Sequence, residues 1–184
     1  MLLAIHNTLL AAILAFGLLG SAVQAQTPEL DALFEQLQAD DVPNWETLER
    51  EIWRLWSQSG SAAMDFLLER GRDAMAAGDF TAAIEHLTAL TDHAPEFAEG
   101  WNTRATAYYL ADLYGPSIVD IQRTLELNPN HFGALSGLGQ ILKALSENDA
   151  SLSAFRQAAA IHPHRPDIQQ AIEQLERLTE GQSL

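Results

Sequence analysis

Three prolines divide most of this chain into units of equal length. Pro95, Pro129 and Pro163 lie 34 residues apart, and each follows a stretch whose apolar residues recur at helical spacing. A fixed period of this size is typical of proteins built from stacked structural repeats. Aligned on the prolines, the chain contains three units, 64–97, 98–131 and 132–165.

The three units agree at positions of small and large side chains. Two helices approach closely only where their side chains are small, and each unit has a small residue in each half: Gly71, Ala105 and Gly139, then Ala83, Ser117 and Ser151. Large apolar residues recur beside them: Leu67, Trp101 and Leu135, then Leu87, Ile121 and Phe155. Turn residues separate the halves at Gly78–Asp79 and Gly115–Pro116. We therefore expect each unit to be a hairpin of two helices.

This pattern resembles the tetratricopeptide repeat (TPR), in which bulky, small and aromatic residues and a final proline have fixed places within 34 residues. The middle unit follows it most fully, through Trp101, Ala105, Tyr108, Tyr114, Ser117, Ile121 and Pro129. In the third unit, Ser146, Glu147 and Asn148 replace the usual turn and aromatic residue. The resemblance implies an all-α fold, a right-handed α-solenoid of helix hairpins.

Helical patterns continue on both sides of the repeats. Within 26–63, two apolar stripes predict a helix pair: Leu30, Leu33, Phe34 and Leu37, then Leu48, Ile52, Leu55 and Trp56. We interpret this pair as a diverged repeat that caps the front of the solenoid, and its tryptophans as packing residues rather than a docking surface. Within 166–184, apolar residues at helical spacing predict a helix that caps the last repeat.

The first residues of the chain predict export. The first twenty carry no Asp, Glu, Lys or Arg, and an uninterrupted apolar run from Leu9 to Leu19 precedes the small residues Val23 and Ala25. This indicates a signal peptide over 1–25, cleaved after Ala25, and a periplasmic or otherwise exported protein. The alternative is an uncleaved membrane anchor, but the run is much shorter than the roughly 20 residues of a spanning helix.

Composition excludes several classes of function. With 25 acidic against 10 basic residues, a net charge of −15 and no Cys, the chain cannot easily present a basic surface for nucleic acid and has no thiolate site. It also lacks a phosphate-binding loop, a GxSxG elbow and an HExxH helix. We therefore expect no enzymatic activity and no cofactor. The acidic residues concentrate in the front half, which either orients a basic partner or serves solubility.

The histidines allow two interpretations. His86 and His93 are seven apart on one predicted helix, and His162 and His164 form an HxH pair. Such spacings can bind zinc or copper. However, His93, His131 and His162 all lie near predicted helix ends, where their rings can meet unpaired backbone groups. We favour this second interpretation and predict no metal site.

The resemblance also implies where a partner binds. In this family the first helices line a concave face, and the corresponding candidates are Leu68, Arg72, Met75, Asn102, Thr106, Tyr109, Ser136, Gln140 and Lys143. Some members use paired Lys and Asn residues as a clamp for a chaperone's terminal carboxylate. Those pairs are here Leu68 with Arg72, Asn102 with Thr106, and Ser136 with Gln140, so binding of a chaperone tail is not expected.

These observations favour a non-catalytic adaptor. We expect a periplasmic protein-interaction module that holds a peptide or helix of an envelope protein in its concave groove. The alternative is a structural subunit of an envelope assembly that associates through the N-terminal helix pair or the end helix. A hydrolase or metal-dependent enzyme is the remote third possibility.

Overall fold

A computed structural model describes residues 27–181 of the chain, and its side chains through Thr179. The predicted signal peptide, 1–25, lies outside the described residues. Within 27–181 the chain forms nine α-helices and no strand, which confirms the all-α prediction. The helices are α1 (Pro28–Leu37), α2 (Trp45–Trp56), α3 (Ala62–Ala76), α4 (Phe80–His93), α5 (Ala98–Leu110), α6 (Tyr114–Leu127), α7 (Phe132–Ala144), α8 (Asn148–Ile161) and α9 (Pro166–Gly181).

Among these helices, none is both long enough and apolar enough to cross a membrane.

Helices α3 to α8 form three consecutive hairpins that stack as a solenoid. Helices α5 and α7 begin at Ala98 and Phe132, the first residues of the second and third sequence units, whereas α3 begins two residues before the first unit, at Ala62. Helix α9 packs its apolar stripe on the last hairpin, where Ile168 and Leu175 join a core with Phe155.

Small residues mark the crossing of the two helices in each hairpin. A Cβ atom built on Gly71 would lie 2.5 Å from Cγ of Leu87, and one on Gly139 would lie 2.8 Å from Cδ2 of Phe155. At two crossings a serine also bonds the facing helix, because Ser151 Oγ donates to the Gly139 carbonyl at 2.8 Å and Ser117 Oγ makes the equivalent bond at 2.7 Å. The close approach expected from the sequence is confirmed.

The hairpin turns share one backbone conformation despite their different sequences. Gly78, Asp112 and Ser146, which are 34 residues apart, have φ values of +76°, +58° and +64°. Glycine adopts this left-handed conformation without steric cost, whereas the other two residues tolerate it. The third unit therefore keeps the turn although its sequence departs from the family pattern. After Gly78, the Asp79 side chain caps α4 by accepting a hydrogen bond from the Ala82 amide at 3.0 Å.

The N-terminal helix pair, α1 and α2, does not lie where the repeat phase suggested. Its apolar core includes Phe132 at the start of α7 and packs against Ile161 at the end of α8, whereas the core of the first hairpin contains residues from neither α1 nor α2. The pair thus lies along the edge formed by the loops between repeats. The expectation of a cap on the front of the solenoid was wrong, because the apolar stripes specify a buried face without specifying what buries it.

Candidate functional site

A pocket of about 130 Å³ opens between α5 and α7 on the concave side. Four of the predicted groove residues line it: Asn102, Thr106 and Tyr109 from α5, and Gln140 from α7. Thr106 and Gln140 are equivalent positions of consecutive repeats, and each directly follows the small residue of its helix crossing. The repeat geometry that buries Ala105 and Gly139 therefore points these neighbours toward the groove.

The walls of the pocket are apolar. Ala105, Ile121, Ala134 and Ile141 are buried and line it. Space for the pocket comes partly from Gly137, since a Cβ atom there would make an ordinary contact, 3.7 Å from Cδ1 of Ile121. Because Gly137 has no side chain, a concavity remains at a position that a side chain normally fills between packed helices.

Neutral polar groups surround the opening. Asn102 Nδ2 donates to Glu99 Oε2 at 3.0 Å, which leaves its amide oxygen as an acceptor. Thr106 Oγ1 donates to the Asn102 carbonyl at 3.1 Å. Tyr109 is half-exposed and stacks on Tyr114 with ring centroids 5.8 Å apart. The Gln140 amide is exposed and forms no hydrogen bond within residues 27–179, so it is available to a ligand.

The other predicted groove residues have partners inside the chain. Arg72 bonds Glu99 at 2.6 Å and Ser57 at 3.1 Å. Lys143 Nζ donates to Gln174 Oε1 of α9 at 3.0 Å, and Ser136 Oγ donates to the Phe132 carbonyl at 2.9 Å. Met75 and Leu68 belong to the core of the first hairpin, where Leu68 is only 2% exposed. None of these five is among the residues described as lining the pocket.

Glu99 is a buried carboxylate beside the groove that the sequence did not single out. Arg72, Asn102, Thr103 and His131 all bond it, with His131 Nε2 at 3.0 Å. Because His131 Nδ1 accepts a hydrogen bond from the Ala134 amide, its proton lies on Nε2 and is donated to Glu99. Burial alone would raise the pKa of the Glu99 carboxyl, but the His131 hydrogen bond and the Arg72 charge lower it overall.

The N-terminal helix pair packs against the start of α7, beside the pocket. Its Trp56 ring stacks on the His131 ring with centroids 4.3 Å apart and planes at 17°. The Trp53 ring packs against Gly133, where an added Cβ atom would lie 2.5 Å from Cη2. Gly133 also lines the pocket, so Trp53 and the pocket meet at this residue. The interpretation of these tryptophans as packing residues agrees with the structure, since Trp56 is 3% exposed.

A second carboxylate fastens the helix pair to the far end of the solenoid. Glu49 contacts His162 Nε2 and Arg165 Nη1, both at 3.3 Å, and accepts a hydrogen bond from Trp53 Nε1 at 3.1 Å. Burial acts to raise the pKa of Glu49, but these hydrogen bonds and the Arg165 charge lower it overall. Nearby, His164 Nε2 lies 3.0 Å from the Ala39 carbonyl.

Three of the histidines, His131, His162 and His164, are placed by contacts within the protein. His131 caps α7 and His162 meets Glu49, as described above, while His93 is exposed at the end of α4 and His86 is half-buried on the same helix. Within the described part of the chain, no three His, Asp or Glu side chains converge in a way that could hold a metal ion.

Comparison with known protein sequences points to one family. A tetratricopeptide-repeat family model matches residues 68–115. A TPR repeat-containing protein of Rhizobium etli is 31% identical over 156 residues, which cover 84% of this chain and 76% of that protein. A protein SGT1 homolog of Bos taurus is 28% identical over 120 residues, 65% of this chain, and this match covers 36% of the SGT1 homolog.

Solved structures share the fold at low sequence identity. The first TPR of Spaghetti (RPAP3) bound to the HSP90 peptide SRMEEVD has a TM-score of 0.63 at 19% identity, covering 65% of this chain and 95% of that one. The Sgt2 TPR domain from Aspergillus fumigatus has a TM-score of 0.63 at 20% identity over 67% and 83% of the two chains. MamA has a TM-score of 0.61 at 19% identity over 77% and 87%. The repeat phase, the packed hairpins and the Rhizobium relative together show that this chain belongs to the tetratricopeptide repeat family.

Proposed function

We propose that this chain is a non-catalytic protein-interaction module that binds a peptide or helix of a partner protein between α5 and α7. The observation that carries the proposal is the pocket on the concave face. It combines buried apolar walls with the exposed Gln140 amide and the acceptor oxygen of Asn102. Such a combination suits a peptide, whose side chains need apolar contact and whose backbone needs hydrogen-bond partners.

Several structural relatives are bound to peptides, which supports this class of function. Besides the first TPR of RPAP3 with its HSP90 peptide, the relatives include the second TPR domain of human RPAP3 in complex with the HSP70 peptide SGPTIEEVD, with a TM-score of 0.57 at 17% identity. We do not extend the chaperone-tail ligand to this chain. Its clamp positions carry Leu68 and Ser136, and the guanidinium of Arg72 already meets Glu99.

The Glu99–His131 pair favours a structural role over catalysis. Glu99 and His131 are almost completely buried, and Trp56 covers the His131 ring. Both His131 nitrogens are already engaged, one by the Ala134 amide and one by Glu99. A general base needs access to a substrate proton, which this pair does not offer.

The alternative of an assembly subunit has less support. It would use the N-terminal helix pair or the end helix α9 as the association surface. In the helix pair, Trp56 is buried and Trp53 packs on Gly133 within the same chain, and most of the apolar stripe of α9 packs on the last hairpin. The groove pocket is open to solvent without any rearrangement. We therefore place the binding surface in the groove.

We further propose that the module acts on an envelope protein in the periplasm or another exported compartment. The support is the predicted signal peptide, with its apolar run and the small residues Val23 and Ala25. Mass spectrometry of the protein recovered from the exported fraction tests this. We expect a chain that begins at Gln26, and a cytoplasmic chain that retains Met1 would contradict export.

Site-specific photo-crosslinking tests the groove. A benzophenone amino acid at Thr106, exposed beside the pocket, should capture a partner protein in an envelope extract. The matched control places the same group at Val119, which is 60% exposed on α6 and outside the pocket lining. Capture at Thr106 that disappears on Gln140→Ala or Tyr109→Ala supports the proposal. Equal capture from both positions would contradict it.

A further inference from the structure

The groove pocket has features that select one kind of peptide. We propose that it binds a single aliphatic side chain, of Leu, Ile or Met, from an uncharged stretch of the partner peptide. This inference rests on the proposed peptide-binding function and specifies the ligand of the same site. Three observations support it: the size of the pocket, the absence of charged groups from its lining, and the neutral polar groups at its opening.

The size of the pocket suits one aliphatic side chain. Its volume of about 130 Å³ is close to that of engineered apolar cavities of about 150 Å³ that bind benzene. The side chains of Leu, Ile and Met are about the size of benzene, whereas an indole is larger. Buried walls of Ala105, Ile121 and Ile141 give such a side chain apolar contact.

The pocket lacks any group that would compensate a buried charge. None of the described residues that line it is charged. The two cationic residues predicted for the groove are engaged elsewhere, Arg72 by Glu99 and Lys143 by Gln174. Glu99 itself is 3% exposed and already meets Arg72 and His131. A carboxylate or ammonium group entering the pocket would lose hydration without gaining a partner of opposite charge, so the pocket should disfavour both.

Polar groups at the opening suit the flanking peptide backbone. The Gln140 amide supplies both a donor and an acceptor, and the Asn102 amide oxygen supplies an acceptor, since its Nδ2 bonds Glu99. Trp53 covers Gly133 at one end of the pocket. The pocket therefore accommodates one buried side chain, with the neighbouring peptide groups at its opening.

Selection from a random peptide library on the purified chain tests the inference. We expect selected peptides to share one Leu, Ile or Met, and replacement of that residue by Asp or Ser to weaken binding roughly 10- to 100-fold. Gly137→Leu should cause a similar loss, because the new side chain fills the pocket from α7. The matched control is Ala144→Leu, an exposed position on the same helix outside the lining, which should leave binding unchanged.

A second blocking variant makes the test independent of how well Gly137→Leu folds. Thr106→Trp covers the pocket from an exposed position of α5 and should give the same loss. Peptides that bind through a charged residue, yet are lost in both variants, would overturn the aliphatic preference and leave the proposed groove function standing. Peptides that bind both variants as well as the wild type, or a failure to enrich peptides on the wild type over both variants, would contradict the groove function itself.

Discussion

At the residue scale, two glycines of α7 have opposite surroundings although they are two positions apart. A Cβ atom added to Gly139 would lie 2.8 Å from Cδ2 of Phe155. One added to Gly137, which faces the open pocket, would lie 3.7 Å from Cδ1 of Ile121. A methyl group at Gly139 must therefore displace an aromatic ring in the core, but one at Gly137 fits. Sequence repetition identifies Gly139 as a crossing residue, while the role of Gly137 follows only from the packing.

Alanine substitutions at these glycines should change stability in opposite directions. We expect Gly139→Ala to lower the free energy of unfolding by about 1–3 kcal/mol, because overpacking outweighs the gain in helix propensity. Gly137→Ala should raise it by about 0.5–1 kcal/mol, since alanine is the better helix former. Urea unfolding followed by circular dichroism measures both. A Gly139→Ala variant as stable as the wild type would show that the helices separate easily.

At the element scale, an arginine joins three consecutive helices. Arg104 of α5 bonds both carboxylate oxygens of Asp120 of α6, at 2.7 and 2.8 Å, and Thr91 of α4 at 2.8 Å. Its guanidinium also lies 4.8 Å from the centre of the Trp101 ring. Asp120 is 3% exposed, so the pair is largely removed from water. This contact couples the first two hairpins.

Removing Asp120 should strongly destabilise the protein. Asp120→Ala leaves the Arg104 charge largely buried without its carboxylate, and we expect a loss of about 3–5 kcal/mol of unfolding free energy. The control is Glu126→Ala, which removes an exposed partner of Arg123 and should cost less than about 1 kcal/mol. Similar urea midpoints for the two variants would contradict a structural role for the Arg104–Asp120 pair.

The N-terminal helix pair is the element whose attachment depends most on a few side chains. Trp56 packs on both His131 and Phe132, so Trp56→Ala should remove much of its contact with α7. We expect a local loss of about 3–5 kcal/mol, seen as faster amide exchange in α1 and α2 while α3 to α6 keep their protection. Trp101→Ala is the control, since Trp101 lies on α5 and its indole bonds the Pro95 carbonyl. Unchanged exchange in α1 and α2 would show that other contacts hold the pair.

At the scale of the whole molecule, two carboxylates with lowered pKa values make the stability of the fold sensitive to acid. The pKa values of Glu49 and Glu99 both lie below the ordinary 4.5, and both side chains connect distant parts of the chain. A carboxyl with a lowered pKa in the folded state stabilises the fold above its unfolded pKa. That contribution is lost as pH falls through the folded pKa, because the carboxyl is then protonated in both the folded and the unfolded state.

Acid titration tests this dependence. We expect the free energy of unfolding of the wild type to fall as pH decreases from about 5 toward 3, and the slope to be smaller when Glu49→Gln and Glu99→Gln are combined. Tryptophan fluorescence follows the transition, since Trp53 and Trp56 adjoin these carboxylates. Glu126→Gln serves as the exposed control and should keep the wild-type slope. Identical slopes in all three proteins would assign the acid sensitivity to other groups.

The sequence determined the repeated part of this fold and four of the residues that line the candidate groove. The 34-residue period and the small crossing residues are local and recurrent, so they specify the hairpins, and from these follow the positions of Asn102, Thr106, Tyr109 and Gln140. The pattern did not indicate that Arg72 and Lys143 are engaged by Glu99 and Gln174, because those partners lie 27 and 31 residues away.

Only the tertiary structure decided where the N-terminal helix pair lies and what Glu49 and Glu99 do. Glu49 meets His162 across 113 residues of sequence, and Trp56 meets His131 only because α2 folds back along the solenoid. Hydrophobic periodicity states that a helix has a buried face, but the surface that covers this face is chosen by shape and charge complementarity between distant segments. For the same reason, the sequence does not distinguish a buried acid such as Glu99 from a solvated one, because the partners of the buried acid come from distant segments.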